Sequence, residues 1–534
     1  MFYKFYLAFR SKEMHFNVYQ FGLALLVSCL PLSRYLLSIS LFLLTINWIV
    51  EGNYRNKIAM LRQNPNILLF ASIFLVYAVG LLFTENFQEG LARVKNALPL
   101  FMIPIVTGTS RPLSYRNTRR LLLLFSVAVA AASLVCIIIY LRNGIPAGGD
   151  FRQISVFMPH IRFALMIDMA IAIVLYYMMT GKPELPPVSR ILLPAVALLL
   201  TGFLFLLRSA SGIALFAAII IIFIVYAGRK APRPIRLVLI FLIAAGFISC
   251  CALVAITWFK NFHQVPGAPS ESLTINGNPY THDTLSGLLE NGYPTDYYSS
   301  EYELQREWNK ISPIQYDQFD HKGQAIRSTI KRYLTSKGLR KDSAGIHALK
   351  PADILKIEQG LANYKFSEEP GISQRLYETL YEIHVYKKTG FVELHSLGQR
   401  LIFLKVASEL AVEHFPMGVG TGDVYDIMLS RVRAEQLTVD ASWEGKPHNQ
   451  YAFQLLAFGV MGFVWILFCW VYPVIRTRAY NLLLFNVFAL IIFVSMFLLD
   501  TLESYDNMVF FAFFYSILVF SGKSFFNRYN EMCS

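Results

Sequence analysis

The sequence has 534 residues, of which 55% are hydrophobic, 15% aromatic and 16% charged, with a formal net charge of +13. In a soluble protein that charge would point to nucleic acid, and the apolar content would suit a large soluble enzyme if it were spread out. Both readings fail, because the apolar residues are gathered into blocks and the basic residues into the segments between them.

From Asn17 onward the blocks run to about 17 to 23 residues, the length a helix needs to cross a ~30 Å hydrocarbon layer at ~1.5 Å per residue. In chain order the predicted spans are 17–33, 35–50, 67–83, 91–106, 121–140, 161–179, 191–207, 210–227, 237–258, 451–474, 481–499 and 508–521. The first two are separated only by Pro31 to Tyr35, so they also read as one bent hairpin. No small-residue cleavage site follows the first block, which is expected to remain as a helix. The fold class is therefore an all-α polytopic membrane protein of about 12 transmembrane helices.

The cations set its orientation. With a cytoplasmic N-terminus, about twenty basic residues fall inside, among them Arg55, Arg62, Arg116, Arg119, Arg120, Lys182, Arg233, Arg236, Arg476 and the tail's Lys523 and Arg528. About four fall in the short outside loops, which is the positive-inside pattern. Both termini are then cytoplasmic. Residues 1–258 are expected to form an N-terminal bundle of helices 1–9, 259–450 a large outer segment between helices 9 and 10, 451–521 helices 10–12, and 522–534 a cytoplasmic tail. Within the outer segment, 324–337 and 351–365 read as short polar helices. The stretch 400–414 reads as an interfacial helix, with Lys405, Ser408, Glu409 and Glu413 as its polar stripe and Leu401, Ile402, Leu404 and Val406 as apolar surface. No cysteine lies in that segment, so no disulfide framework is implied.

Cations kept on the outer side against the positive-inside rule mark a candidate site. Arg93 and Lys95 begin the fourth span, His160 and Arg162 the sixth, Arg208 occupies the turn between the seventh and eighth, and Arg400 and His448 come from the outer segment. An anion at headgroup depth would explain them, and a lipid-linked diphosphate is the natural one, because guanidinium groups bind phosphate oxygens bidentately. The plainer reading of Arg93, Lys95 and Arg162 taken singly is that they snorkel to lipid headgroups. Arg208 differs, since a long cation in a tight interhelical turn has reason to point into a cavity. His448, next to Pro447 and just before the tenth span, carries a group whose ordinary pKa of ~6.5 suits a general base. A histidine that caps or anchors the helix is the competing reading. The run Pro416 to Asp423 offers an anion nest or a plain chain reversal. Asp500, Glu503 and Asp506 read as an ordinary polar loop, and neither a metal nor a cofactor is called for.

The run His448-Asn449-Gln450-Tyr451 leading to Gly459-Val460-Met461-Gly462-Phe463, preceded by Pro416 to Gly422, resembles the O-antigen ligase family of bacterial membrane glycosyltransferases. Arg208-Ser209-Ala210-Ser211-Gly212 looks like that family's Ser-Arg-Gly type turn with the order altered, and the outer segment with Ser396 to Arg400 before an amphipathic helix is also similar. The resemblance implies a GT-C-like organisation and transfer of a glycan from undecaprenyl diphosphate at the periplasmic face of the inner membrane, inverting and metal-independent. It implies that His448 activates the acceptor hydroxyl, while Arg208 and Arg400 bind the donor diphosphate and stabilise its departing charge. Arg93, Lys95, His160 and Arg162 stay as further candidates for substrate contact. The acceptor would be a hydroxyl of lipid A core, or of another glycan or a protein in the family's polymerases and protein O-oligosaccharyltransferases. A lipid-linked glycan flippase is the rival from another class. About 130 residues between Lys260 and Glu393 exceed what a compact outer loop needs, and this insert is expected to select the acceptor.

Overall fold

A computed structural model describes residues 11–144, 151–180, 186–229, 231–263, 267, 269–368, 372–389, 396–437 and 443–521, without the side chains of 151, 152, 368, 372, 396 and 397. The expected tail with Lys523 and Arg528, Lys182, and the insert's end at Glu393 lie outside the described residues.

Every one of the twelve apolar blocks is helical. Among the described residues, seven helices are long and apolar enough to cross a membrane, or eight if the bent pair Arg34–Val50 and Tyr54–Gln63 counts as one span. Lys12–Cys29 and Phe87–Thr109 are not among them, and both have charged residues in their first turns or soon after. Leu483–Leu498 and Tyr505–Phe520 are shorter apolar helices. The chain is thus mostly helical and membrane-embedded by composition. The first two blocks are separate helices packed along each other, with a turn between Cys29 and Arg34.

Where water is scarce, a helix's first amides need partners from the protein. Ser11 and Ser33 accept from Met14 N and Leu36 N, and Asn86 and Asn449 accept from Glu89 N and Ala452 N. These caps decide where the helices begin.

The chain divides into two compact units. The first comprises residues 1–142, 154–223 and 400–534. At its centre, Phe87–Thr109 packs against Arg34–Val50, Tyr54–Gln63, Asn66–Ala71, Ile73–Gly80 and Tyr505–Tyr515. Aromatic rings fill the space beside it: Phe70 stacks on Tyr515 at 4.2 Å, and the Tyr515 hydroxyl donates to the Trp470 carbonyl at 2.7 Å. In lipid, where burial of apolar surface brings no hydrophobic gain, such close packing and hydrogen bonds hold helices together, with aromatic pairing worth ~0.5–1.5 kcal/mol per pair.

One helix in this unit is broken. Within Gln450–Thr477, Gly459 sits at φ 61°, ψ −171°, a conformation essentially confined to glycine. The break frees the carbonyls of Leu456 and Ala457, which accept from Val419 N and Gly420 N at 2.9 Å each, while Val460 N donates to the Pro416 carbonyl at 3.1 Å. The glycine-rich run is therefore the insert that completes a broken helix.

The second unit comprises 143–153 and 224–399. It joins the apolar helix Arg233–Phe262, most of whose aliphatic side chains are exposed as lipid contact requires, to a folded polar module. That module has a short antiparallel pair, Leu289–Glu290 with Tyr293–Pro294, and the helices Glu301–Ile311, Ile326–Ser336, Ser343–His347, Pro351–Glu358 and Ile372–Thr389. Trp308, Ile330, Tyr333 and Leu334 are fully buried at its core. Two of these helices, Ile326–Ser336 and Pro351–Glu358, fall where short polar helices were predicted.

The stretch predicted as an amphipathic helix is helical, as Ser396–Glu413. Its buried stripe is Phe403, Val406, Ala407 and Leu410, whereas Leu401 and Leu404 are exposed, so its inward face is rotated from the expected one.

Candidate functional site

The site is built on the start of Gln450–Thr477. Asn449 is the N-cap, accepting from Ala452 N at 3.0 Å and donating to the Phe497 carbonyl at 3.3 Å. Capping is thus Asn449's task, and the reading of His448 as the cap is corrected. Gln450, fully buried, donates to Glu503 at 3.0 Å and accepts from Leu502 N at 2.7 Å, and the Tyr451 hydroxyl donates to the Phe493 carbonyl at 3.0 Å. Three consecutive side chains are locked, and the fourth, His448, is held by its backbone.

His448 has φ 52°, the left-handed region, which a non-glycine residue adopts only when its surroundings fix it. Asp500 does the fixing: its carboxylate accepts from His448 N at 3.2 Å and Asn449 N at 3.0 Å. The His448 ring lies 5.8 Å from Phe403, which stacks face to face on Trp443. The Nδ1 atom stands 4.0 Å from Asp500, too far for a hydrogen bond but near enough to form one after a small movement.

The electrostatics of this pair are inverted relative to free amino acids. Burial, then the charges of Arg400 and Lys446, lower His448 to about 4, so its ring is neutral at pH 7. Burial, then neighbouring Glu503, push Asp500 up to about 7, against the pull of its two amide donors and Arg93. Burial also raises Glu503, which Arg93, Gln450 and Tyr77 counteract.

The acidic group is the feature that sequence reasoning missed. Asp500, Glu503 and Asp506 were read as a polar loop, yet their side chains are only 6%, 5% and 2% exposed. Asp500 and Glu503 lie on the turn between Leu483–Leu498 and Tyr505–Tyr515 and Asp506 in the first turn of the latter, with all three side chains buried. Only their spacing, three residues apart, signalled a shared face.

Each carboxylate collects different partners. Glu503 pairs with Arg93 at 2.7 Å, and Tyr77 donates to it at 3.3 Å. Arg93 also pairs with Glu89 at 2.9 Å and lies between the Tyr425 and Phe453 rings, at 3.9 and 4.9 Å. It is 3% exposed, so the snorkelling reading of Arg93 is corrected: its charge is committed to the protein's own carboxylates and rings. Asp506 receives Arg34 at 3.1 Å and Arg162 at 3.8 Å, and Arg162 lies within electrostatic range of Asp500.

His448, Arg93 and Arg162 thus meet at one group of carboxylates, and Arg400 lies within electrostatic range of His448. Lys95, two residues past Arg93 on the same helix, is exposed. His160 opens its helix half-buried, and Arg208 is half-buried in its turn with φ 52°. The glycine-rich run is no anion nest, because its amides are spent on the broken helix, on the Gly80 carbonyl and on Thr84. Asp423 at its end accepts from Glu85 N and Asn86 N at 2.8 and 2.7 Å, which fixes the start of the Arg93 helix.

A half-buried neutral imidazole, a carboxyl titrating near neutrality and guanidinium groups around them can take a proton from a hydroxyl and stabilise a departing anion. Neither a protein-family model nor a curated protein matches the sequence.

Proposed function

We propose that the protein is a membrane glycosyltransferase that moves a glycan from undecaprenyl diphosphate to a hydroxyl of lipid A core, as O-antigen ligases do, at the periplasmic face of the bacterial inner membrane. The observation that carries the reading is the neutral imidazole of His448, whose backbone amide is held by Asp500 and whose Nδ1 stands 4.0 Å from that carboxylate, within electrostatic range of Arg400. His448 Nε2 or Nδ1 takes the acceptor's hydroxyl proton, and the oxygen attacks the anomeric carbon from the face opposite the diphosphate. The carbon–oxygen bond to the diphosphate breaks, inverting the centre. The proton held on His448 is stabilised by Asp500 once that carboxyl is ionised. Arg400 and Arg208 hold the leaving diphosphate, whose growing charge such pre-placed donors stabilise by ~3 kcal/mol each. Arg162 supplements them, while Arg93 and Glu503 position the acidic turn. Twelve crossings in a GT-C-like arrangement, with both termini cytoplasmic, belong to the same proposal.

A flippase would also want a broken helix, and Gln450–Thr477 is broken at Gly459. The Leu456 and Ala457 carbonyls and the Val460 amide freed there are occupied by the loop's own backbone rather than offered to a solute. The test is deletion of the gene in its native bacterium, followed by analysis of lipopolysaccharide, glycoprotein and undecaprenyl-linked glycan. Loss of polysaccharide from lipid A core with accumulation of full-length lipid-linked polymer supports a ligase. Accumulation of single repeats would make it a polymerase, and selective loss of glycoproteins a protein glycosyltransferase. Unchanged pools would remove the enzyme reading.

A further inference from the structure

The helix that carries Arg93 near its start ends at Thr109, roughly 24 Å further along its axis. Beside that far end is a cavity of about 370 Å³, within the ~300–1,000 Å³ range of small-molecule sites. Its lining includes Lys12, His15, Asn47, Glu51, Lys57 and Arg111. Three full positive charges therefore face one carboxylate.

The cavity is built by a sharp bend. Gly52 and Asn53 both take left-handed backbone, at φ 65° and 57°, and Tyr54–Gln63 leaves the axis of Arg34–Val50 at 109°. This carries Lys57 inward, where it is 4% exposed. Its ammonium donates to the Trp48 carbonyl at 2.5 Å, pairs with Glu51 at 2.8 Å and lies 4.6 Å over the Trp48 ring. His15 and Asn47 fix the opposite wall, with Nδ1 and Oδ1 at 2.9 Å and the Asn47 amide donating to the His15 carbonyl at 3.0 Å. Arg111 rests on the Phe16 ring at 4.7 Å. Glu51 is matched by Lys57, which leaves Lys12 and Arg111 as excess charge at the mouth.

Excess positive charge around a polar cavity favours an anion, and guanidinium with ammonium favours phosphate oxygens. Exposed apolar residues follow the same bend: Ile46, Ile49, Val50, Tyr54 and Ile58 are 40–50% exposed. We propose that this cavity holds a phosphate group, and that the exposed apolar residues on the two helices of the bend favour one carried on a membrane lipid. The site is separate from the one around His448, and its test does not depend on glycosyl transfer.

The full chain, delipidated in neutral detergent, is titrated with phosphatidylglycerol, phosphatidylcholine or inorganic phosphate and followed by native mass spectrometry. Phosphatidylglycerol should bind at least tenfold more tightly than phosphatidylcholine. Combined Lys12→Ala and Arg111→Ala should remove about tenfold of that affinity, the loss of a charge-assisted contact. Both residues are exposed, so the double variant is expected to fold, which an unchanged melting temperature checks. Lys57→Met is the second variant, read only if its melting temperature is within a few degrees of the parent. Equal phosphatidylglycerol binding by parent and double variant would overturn the site. Inorganic phosphate binding as tightly as the lipid would overturn the lipid source.

Discussion

Buried carboxylates occur in both units of the protein, and they are treated in opposite ways. In the polar module of the second unit Glu290, Glu303 and Asp353 each collect three donors. Glu290 accepts from Arg332, Asn363 and Tyr377, and Glu303 from Thr274, Asn278 and Ser343 N. Burial raises Glu303, but its donors outweigh burial and hold it below the ordinary range; Asp353, with Lys337, Tyr333 and Lys350 N, falls to about 2. In the first unit the donors do not outweigh burial, and Asp500 rises to about 7 with Glu503 also raised. A saturated carboxylate is a fixed part of a fold, whereas one left near neutrality can exchange its proton at working pH. The contrast separates scaffold from candidate site within one chain.

The strongest way to break the comparison is at His448. His448→Ala should lower transfer by about 10³-fold, within the usual range for loss of a general base, with an unchanged melting temperature. A variant that retains transfer would move the chemistry elsewhere and leave the inverted pKa order without a function. Next comes Arg93, the one cation on which Glu503 depends most. Arg93→Ala leaves Glu503 buried and uncompensated and should cost about 3–5 kcal/mol, read as a large drop in melting temperature. Adding Glu503→Gln should recover part of the loss; no recovery would mean that Arg93 acts through its rings, Tyr425 and Phe453.

How much of this was legible beforehand follows from which forces act locally. The helical blocks were readable because a run of apolar side chains has one stable solution in lipid, whatever its neighbours. His448 and Arg400 were readable as candidates because the expected orientation puts them on the outer side, where a basic group at a helix end needs a reason. The acidic turn was not, because Asp500, Glu503 and Asp506 look polar in sequence and become buried only through helices distant in the chain. Arg93 looked like a snorkelling residue for the same reason: its helix is central, and nothing in its own segment says so. The glycine-rich run was ambiguous because an anion nest and a helix-break insert need the same φ > 0 residues, Gly418 and Gly420. Only the partner, Gly459 and the carbonyls before it, tells them apart.

Asp500 sharpens the comparison through pH. Its carboxyl titrates near 7, so transfer should rise with pH through about 7 as Asp500 ionises to hold the His448 imidazolium. Asp500→Asn should flatten that profile and reduce the rate roughly tenfold to a hundredfold. Stability must run the other way. A carboxyl raised by the fold contributes stability below its unfolded value of 3.8, and that contribution is lost as pH rises through about 7. Melting temperature should therefore decline slightly between pH 5 and 8 in the parent, by roughly a few degrees, and less in Asp500→Asn. A parent whose transfer is flat across pH 7 would place the titrating group elsewhere.

Asp353 provides the opposite sign and the smallest effect. Its carboxylate is held at about 2 by Lys337 at 2.7 Å, the Tyr333 hydroxyl at 2.6 Å and Lys350 N at 3.0 Å. A depressed carboxyl contributes stability above its unfolded value of 3.8, lost as pH falls toward 2. Asp353→Asn keeps the shape but removes the charge and should cost about 2 kcal/mol at pH 7, seen as earlier exposure of the polar module to protease. The cost should shrink as pH falls from 4 to 2, where the parent's carboxylate is itself neutralised. If the variant were as protease-resistant as the parent at pH 7, saturation with donors would not be what makes a buried carboxylate structural. The raised Asp500 would then have to be explained by depth alone.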